Sequence, residues 1–202
     1  MSNWKRNPPT ASSTSSSSDG ASTLPQPKTY LVISIVGQDR PGIVRELSHL
    51  IAEQGCNIED SRMAVLGGEF AAIILVEGRW NTLAKIENAL PELSRSLDLT
   101  LFAKRTGPRP VDRSLLPYAV EAVSMDHPGI VHSLAEFFAT RDINIEEMAT
   151  HAYPAPHTGT AMFSVHMTVG IPAGTHIAGL REAFMDTCDA LNLDAVLEPF
   201  KS

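Results

Sequence analysis

Residues 39–44 read DRPGIV and residues 126–131 read DHPGIV, so one six-residue device stands twice in the chain with Arg40 exchanged for His127. Its chemistry is that of a turn running into a helix. The first N–H groups of a helix have no acceptor inside it, and the macrodipole makes that end partly positive. Pro41 has no N–H and suits the first helical turn, which leaves Gly42, Ile43 and Val44 as backbone donors. Gly42 puts no side chain in the way of a small ligand, so a carboxylate can lie there as anions do at other helix starts. Asp39 offers charge to an ammonium group, and Asn57, just after the helix, brings one acceptor and one amide donor. An α-amino acid carries both of the complementary groups within a few atoms. The matching set in the second half is Asp126, Gly129, Ile130 and Asn144. The same residues also have a purely structural reading. Asp before a helix is a favoured cap worth ~1 kcal/mol, Pro-Gly makes a tight connection, and Asn opening a strand is common turn chemistry.

Other chemistry is weakly represented. Ser, His and Asp all occur, yet no G-x-S-x-G elbow, H-E-x-x-H, Walker loop or G-x-G-x-x-G is present, so no catalytic residue is expected and the chain reads as a non-enzyme. His151, His157 and His166 flank one hairpin without a cysteine and at no standard zinc spacing, and no metal or cofactor is expected. Cys56 and Cys188 stand far apart with no CxxC, which suits free buried thiols in a reducing cytoplasm.

The elements that position these residues also come twice. With an offset of 87 held fixed, Val36, Asp39, Pro41, Gly42, Ile43, Val44, Leu47, Ala52, Asn57, Ile58 and Glu59 all recur, and no gap is needed across residues 31–63. The matches cluster in DxPGIV and NIE, which composition alone would not arrange. YLVISIVG (30–37) has the β-branched content of a buried strand. Val44, Leu47, Leu50 and Ile51 recur at helical spacing up to Gly55. Segments 57–66 and 69–78 read as strands around Gly67-Gly68, Leu83, Ile86 and Leu90 mark a second helix that Pro91 should kink or restart, and 99–105 closes the unit with a strand. The second half repeats the order with strand 118–124, helix near 128–140, strands 144–152 and 162–170 around a longer loop, helix near 174–191 and strand 194–200. Each unit is βαββαβ, an α+β arrangement with two helices on one face of an antiparallel sheet. The expected boundaries are a Ser/Pro-rich disordered tail at 1–28, a first domain at 29–105, a linker at 106–116 and a second domain at 117–202.

Net charge of -7 without a cluster of Lys and Arg argues against direct nucleic-acid binding. No apolar run approaches the ~20 residues needed to cross a bilayer, so no membrane contact is expected.

The strand–DRPGIV–helix–NIE–strand arrangement resembles the ACT domain, a small regulatory module that often binds amino acids. Two copies, covering roughly residues 29–200 with no catalytic domain attached, resemble the glycine cleavage system transcriptional repressor family. The resemblance implies tandem ferredoxin-like ACT domains and an effector held at an interface between modules, near the loop and the following strand. It thereby implicates Asp39, Gly42, Ile43, Asn57 and Ile58 in one copy, and Asp126, Gly129, Ile130, Asn144 and Ile145 in the other. The function implied is a non-catalytic sensor of a small amino acid, glycine by analogy, that controls transcription through a protein partner such as a DNA-binding activator. A similar DRPGIV stretch precedes formyltetrahydrofolate deformylase domains, and none follows within these 202 residues. An enzyme or regulatory subunit of formyltetrahydrofolate metabolism, and a scaffold that dimerises through open sheet edges, stay open beside it, as does homo-oligomer formation. Arg is always charged while His has an unperturbed pKa of about 6.5, so the two sites should differ in affinity or pH response.

Overall fold

The computed structural model describes residues 28–108, 110 and 114–200. The expectation of a disordered tail at 1–28 therefore lies, but for Lys28, outside the described residues. Two compact units divide the chain, the first ending at Arg109 and the second beginning at Pro110.

In the first unit β1 (Thr29–Gln38), α1 (Ile43–Glu53), β2 (Asn57–Leu66), β3 (Glu69–Gly78), α2 (Trp80–Leu97) and β4 (Leu99–Thr106) follow in order. The sheet order is β2-β3-β1-β4, antiparallel throughout. Strand alternation sends Leu31, Ile33 and Ile35 to one side of β1, where all three are fully buried under the helices. Ile43, Leu47 and Ile51 face them from α1, and Leu83, Ile86 and Leu90 from α2.

The second unit repeats this with β5 (Leu115–Met125), α3 (Ile130–Ala139), β6 (Asn144–Pro154), β7 (Ala161–Pro172), α4 (Ile177–Ala190) and β8 (Asp194–Pro199), in sheet order β6-β7-β5-β8. Its core has an aromatic centre: Phe137, Phe138 and Phe184 stand with ring centroids 5.2 to 5.7 Å apart. Leu134, Val120 and Ile171 fill in around them, fully buried.

Several expectations shift in detail. The helices begin later than Pro41 and Pro128 suggest. Pro41 lies in the turn before α1, which starts at Ile43. The apolar stripe is accordingly set one residue earlier than Val44 implies: Ile43 is buried and Val44 is 46% exposed, because Ile43 is the residue four before Leu47. Pro91 does not restart α2, which runs through it from Trp80 to Leu97. Burial of Leu83, Ile86 and Leu90 on the turns up to the proline offsets the lost hydrogen bond. The linker is shorter than expected, since β4 reaches Thr106 and β5 begins at Leu115.

Candidate functional site

The helix starts of α1 and α3 are built alike. Gly42 caps α1 at φ 104° and Gly129 caps α3 at φ 102°, a conformation that L side chains rarely adopt. The first intrahelical bonds run from Glu46 N–H to Gly42 C=O at 3.0 Å and from Ser133 N–H to Gly129 C=O at 2.9 Å. The N–H groups of Ile43, Val44 and Arg45, and of Ile130, Val131 and His132, thus precede the first intrahelical donor and have no acceptor within the helix. Neither aspartate caps its helix, because no side chain bonds to either N-terminus. Instead the backbones of Asp39 and Asp126 tie the corner to the neighbouring hairpin, Asp39 N–H to Gly68 C=O at 3.0 Å and Asp126 N–H to Ala161 C=O at 2.9 Å. Both carboxylates are left in the open on exposed residues. A Cβ placed on Gly42 or Gly129 would meet nothing within 4 Å. Both corners are open to a small molecule.

Ile43 and Ile130 sit at these corners, but their side chains are core residues, each only 2% exposed. Only their backbone can serve a ligand. Asn57 and Ile58, and likewise Asn144 and Ile145, are placed elsewhere. Asn57 is level with Tyr30, both paired to Glu77, and Asn144 is level with Pro117, both paired to Gly170. Asp39 and Asp126 lie nine residues further along β1 and β5, roughly 30 Å away at a strand's rise per residue. One module therefore does not bring its corner and its β2 or β6 start onto one small ligand. The repeated NIE has a local role of its own: the sheet register shifts between Ile58 and Asp60 and between Ile145 and Glu147, so Glu59 and Glu146 are bulge residues.

In the second module the corner opens into a hollow of about 410 Å³, with Asp126, His127, Gly129, Val131, His132 and Phe163 on its walls. Backbone donors of the helix start and the Asp126 carboxylate can there serve opposite ends of a zwitterion, against an apolar wall formed by half-buried Phe163. Sequence comparison at a fixed offset misses this wall. Phe163 pairs with Ser124 and Phe70 pairs with Gly37, so the two phenylalanines occupy one ladder position. Their offset is 93 instead of 87 because of the longer hairpin. Realigning the copies beyond that hairpin would have found them.

The single substitution within the repeated device also has a visible consequence. The Arg40 guanidinium donates to the carbonyl of Leu97, the last residue of α2, where a cation is favoured by the helix dipole. His127 is too short for such a reach and lies against its neighbour, with Nδ1 3.2 Å from Pro128 C=O.

Among the described residues no three His, Cys, Asp or Glu side chains come together to hold a metal. His151 stacks on Tyr153 at 6.0 Å, and His166 Nδ1 stands 3.9 Å from Glu121 Oε1, both exposed on β6 and β7. Cys188 is fully buried, and that burial pushes its thiol up to about 11. No helix among the described residues is long and apolar enough to cross a membrane.

Paired βαββαβ units with glycine-capped corners define a tandem ACT-domain protein. A family model described as the ACT domain matches residues 29–104. The chain is 37% identical over 163 residues to the glycine cleavage system transcriptional repressor of Escherichia coli (strain K12), covering 81% of this chain and 86% of that protein. It belongs to the glycine cleavage system transcriptional repressor family. A crystal structure provisionally identified as such a repressor superposes with TM-score 0.66 at 31% identity, covering 87% of this chain and 99% of the other. One of an unknown protein from Galdieria sulphuraria gives TM-score 0.70 at 28% identity, with 86% and 99% covered. The family membership supports a regulatory role.

Proposed function

We propose that this chain is a cytoplasmic, non-catalytic regulator that senses a small amino acid, with glycine the first candidate, and controls transcription through a protein partner such as a DNA-binding activator. One observation carries the reading. Two equivalent helix starts, each capped by a left-handed glycine with free space beside it, present unpaired N–H groups next to an exposed aspartate. Because Asn57 and Asn144 lie far from these corners in their own modules, the first contacts of the ligand are the corner residues: N–H groups for its carboxylate, Asp39 or Asp126 for its ammonium. The name carried by the 37% identical relative supplies glycine metabolism and repression as the context. The net charge of -7 favours action through a protein over direct contact with DNA. A ligand can move a conformational equilibrium only through its differential affinity for the two states, so the effector must bind more tightly to one packing of the protein.

The test is thermal unfolding of the full chain against the common amino acids. A ligand at ~100 times its dissociation constant stabilises the native state by ~2.7 kcal/mol. Glycine should raise the midpoint, and Asp126→Asn should shrink the shift. If no amino acid moves the midpoint at saturating concentration, the sensor reading is wrong. Binding of the purified chain to duplex DNA without any partner would overturn the partner step alone.

A further inference from the structure

A second cavity lies away from the Gly129 corner, on the outer side of α3 and α4, with a volume of about 570 Å³. Its walls carry charges of both signs. Arg141 is held rigidly: its guanidinium carbon lies 3.9 Å from the centroid of the Phe137 ring, and its Nη1 donates to Phe137 C=O at 2.9 Å and to Thr140 Oγ1 at 3.3 Å. The ring beneath is itself fixed, 5% exposed and packed edge-on against Phe138 and Phe184. Stacked and anchored in this way, Arg141 makes no ion pair among the described residues, and its Nε and Nη2 remain for a bidentate acceptor. Glu136 and Asp186 line the same cavity from α3 and α4. Asp186 has no ion pair among the described residues, and Glu136 Oε2 stands 3.9 Å from His132 Nε2. Phe137, Ala190 and Leu191 supply an apolar wall.

The fold does not require this arrangement. In the first module the positions of Glu136, Phe137 and Arg141 are taken by His49, Leu50 and Gln54, and the same helix forms without the arginine or the aromatic platform. A rigid unpaired guanidinium, carboxylates on two helices and an apolar wall, all on one cavity of ligand size, match a zwitterion with a hydrocarbon side chain. We propose that the α3–α4 cavity is a binding site for an apolar α-amino acid, its carboxylate on Arg141, its ammonium on Glu136 and Asp186, and its side chain along Phe137, Ala190 and Leu191. This site is separate from the Gly129 corner and does not depend on the reading given to that corner.

The experiment is a titration of the full-length ¹⁵N-labelled chain with L-leucine, followed by amide chemical shifts. L-leucinamide, which lacks the carboxylate, and 4-methylpentanoate, which lacks the ammonium, serve as controls. L-leucine up to about 10 mM, enough to load a site of Kd ~1 mM, should shift amides within 133–141 and 186–191. Each control should bind roughly tenfold or more weakly. Arg141→Gln should weaken L-leucine at least about tenfold. Because Arg141 also bonds to the end of α3, Asp186→Asn, an exposed change on α4, provides a second variant and should weaken binding without altering the rest of the spectrum. The proposal is overturned if L-leucine leaves those amides unmoved, if its shifts fall only around residues 126–132, or if both variants bind it as the parent does.

Discussion

Replacing Gly129 with alanine isolates the backbone from every other effect at the corner. At φ 102° an L residue is strained, yet the added methyl meets nothing within 4 Å, so no steric clash contributes. Holding a non-glycine residue in such a sparsely populated region costs roughly 1–3 kcal/mol. Alanine also restricts the unfolded chain, which returns ~0.4–1 kcal/mol. The net destabilisation should be about 1–2 kcal/mol, and a domain of this size loses ~4–8 °C in midpoint per kcal/mol if it melts as its own unit. Gly42→Ala should cost the same, since its φ of 104° and its empty surroundings are the same. Gly174→Ala is the control: its surroundings are equally open and its φ is outside the left-handed region, so it should be neutral or slightly stabilising. Urea unfolding of the three variants beside the parent measures all of this. Should both corner variants stay within about 0.5 kcal/mol of the parent, or should Gly174→Ala lose as much as they do, the backbone argument fails. It follows too that a bulky residue at Gly42 or Gly129 cannot be a clean probe of ligand access, because any side chain there strains the turn before it meets a ligand.

The second core should depend on its aromatic centre: Phe138 is fully buried against Phe137 and Phe184, and Phe138→Ala should cost ~3–5 kcal/mol, lowering the unfolding midpoint of that module. The bond from Arg105 holds the Glu87 carboxyl below the usual carboxylate range, through contacts of 2.7 Å from Nε and 2.6 Å from Nη2. A depressed folded pKa gives stability that is fully present above the unfolded value of about 4.3 and is lost as pH falls through the folded value. Glu87→Gln should therefore destabilise at pH 7 by no more than ~1 kcal/mol, given that the pair is about a third exposed, and the deficit should close on acidification below about pH 4.3 in urea titrations. Alkylation near neutral pH should find one slow thiol, Cys188, whose burial pushes it to about 11, and one faster, half-buried Cys56; equal rates in the native state would contradict the burial of Cys188.

Sequence by itself determined the duplicated βαββαβ order, most strand bounds and the two glycine corners. Each of these rests on local information: strand alternation in Leu31, Ile33 and Ile35, helical spacing in Leu47 and Ile51, and a Pro-Gly turn repeated at one offset. The helices start two residues beyond the prolines because Pro41 is permitted in the first turn as well as before it, and only the left-handed Gly42 decides between them. What tertiary structure alone decided is which residues share a place. Asn57 is near Asp39 in sequence, yet the helix between them runs back along the sheet and leaves them at opposite ends. Phe163 is distant from Gly129 in sequence, yet strand pairing with β5 brings it to the wall of the hollow. Arg141 and Asp186 likewise face one cavity through the packing of α3 and α4 over three phenylalanines. Periodicity reports which face of an element is buried, but it carries no information on which faces meet; long-range pairing and core packing supply that.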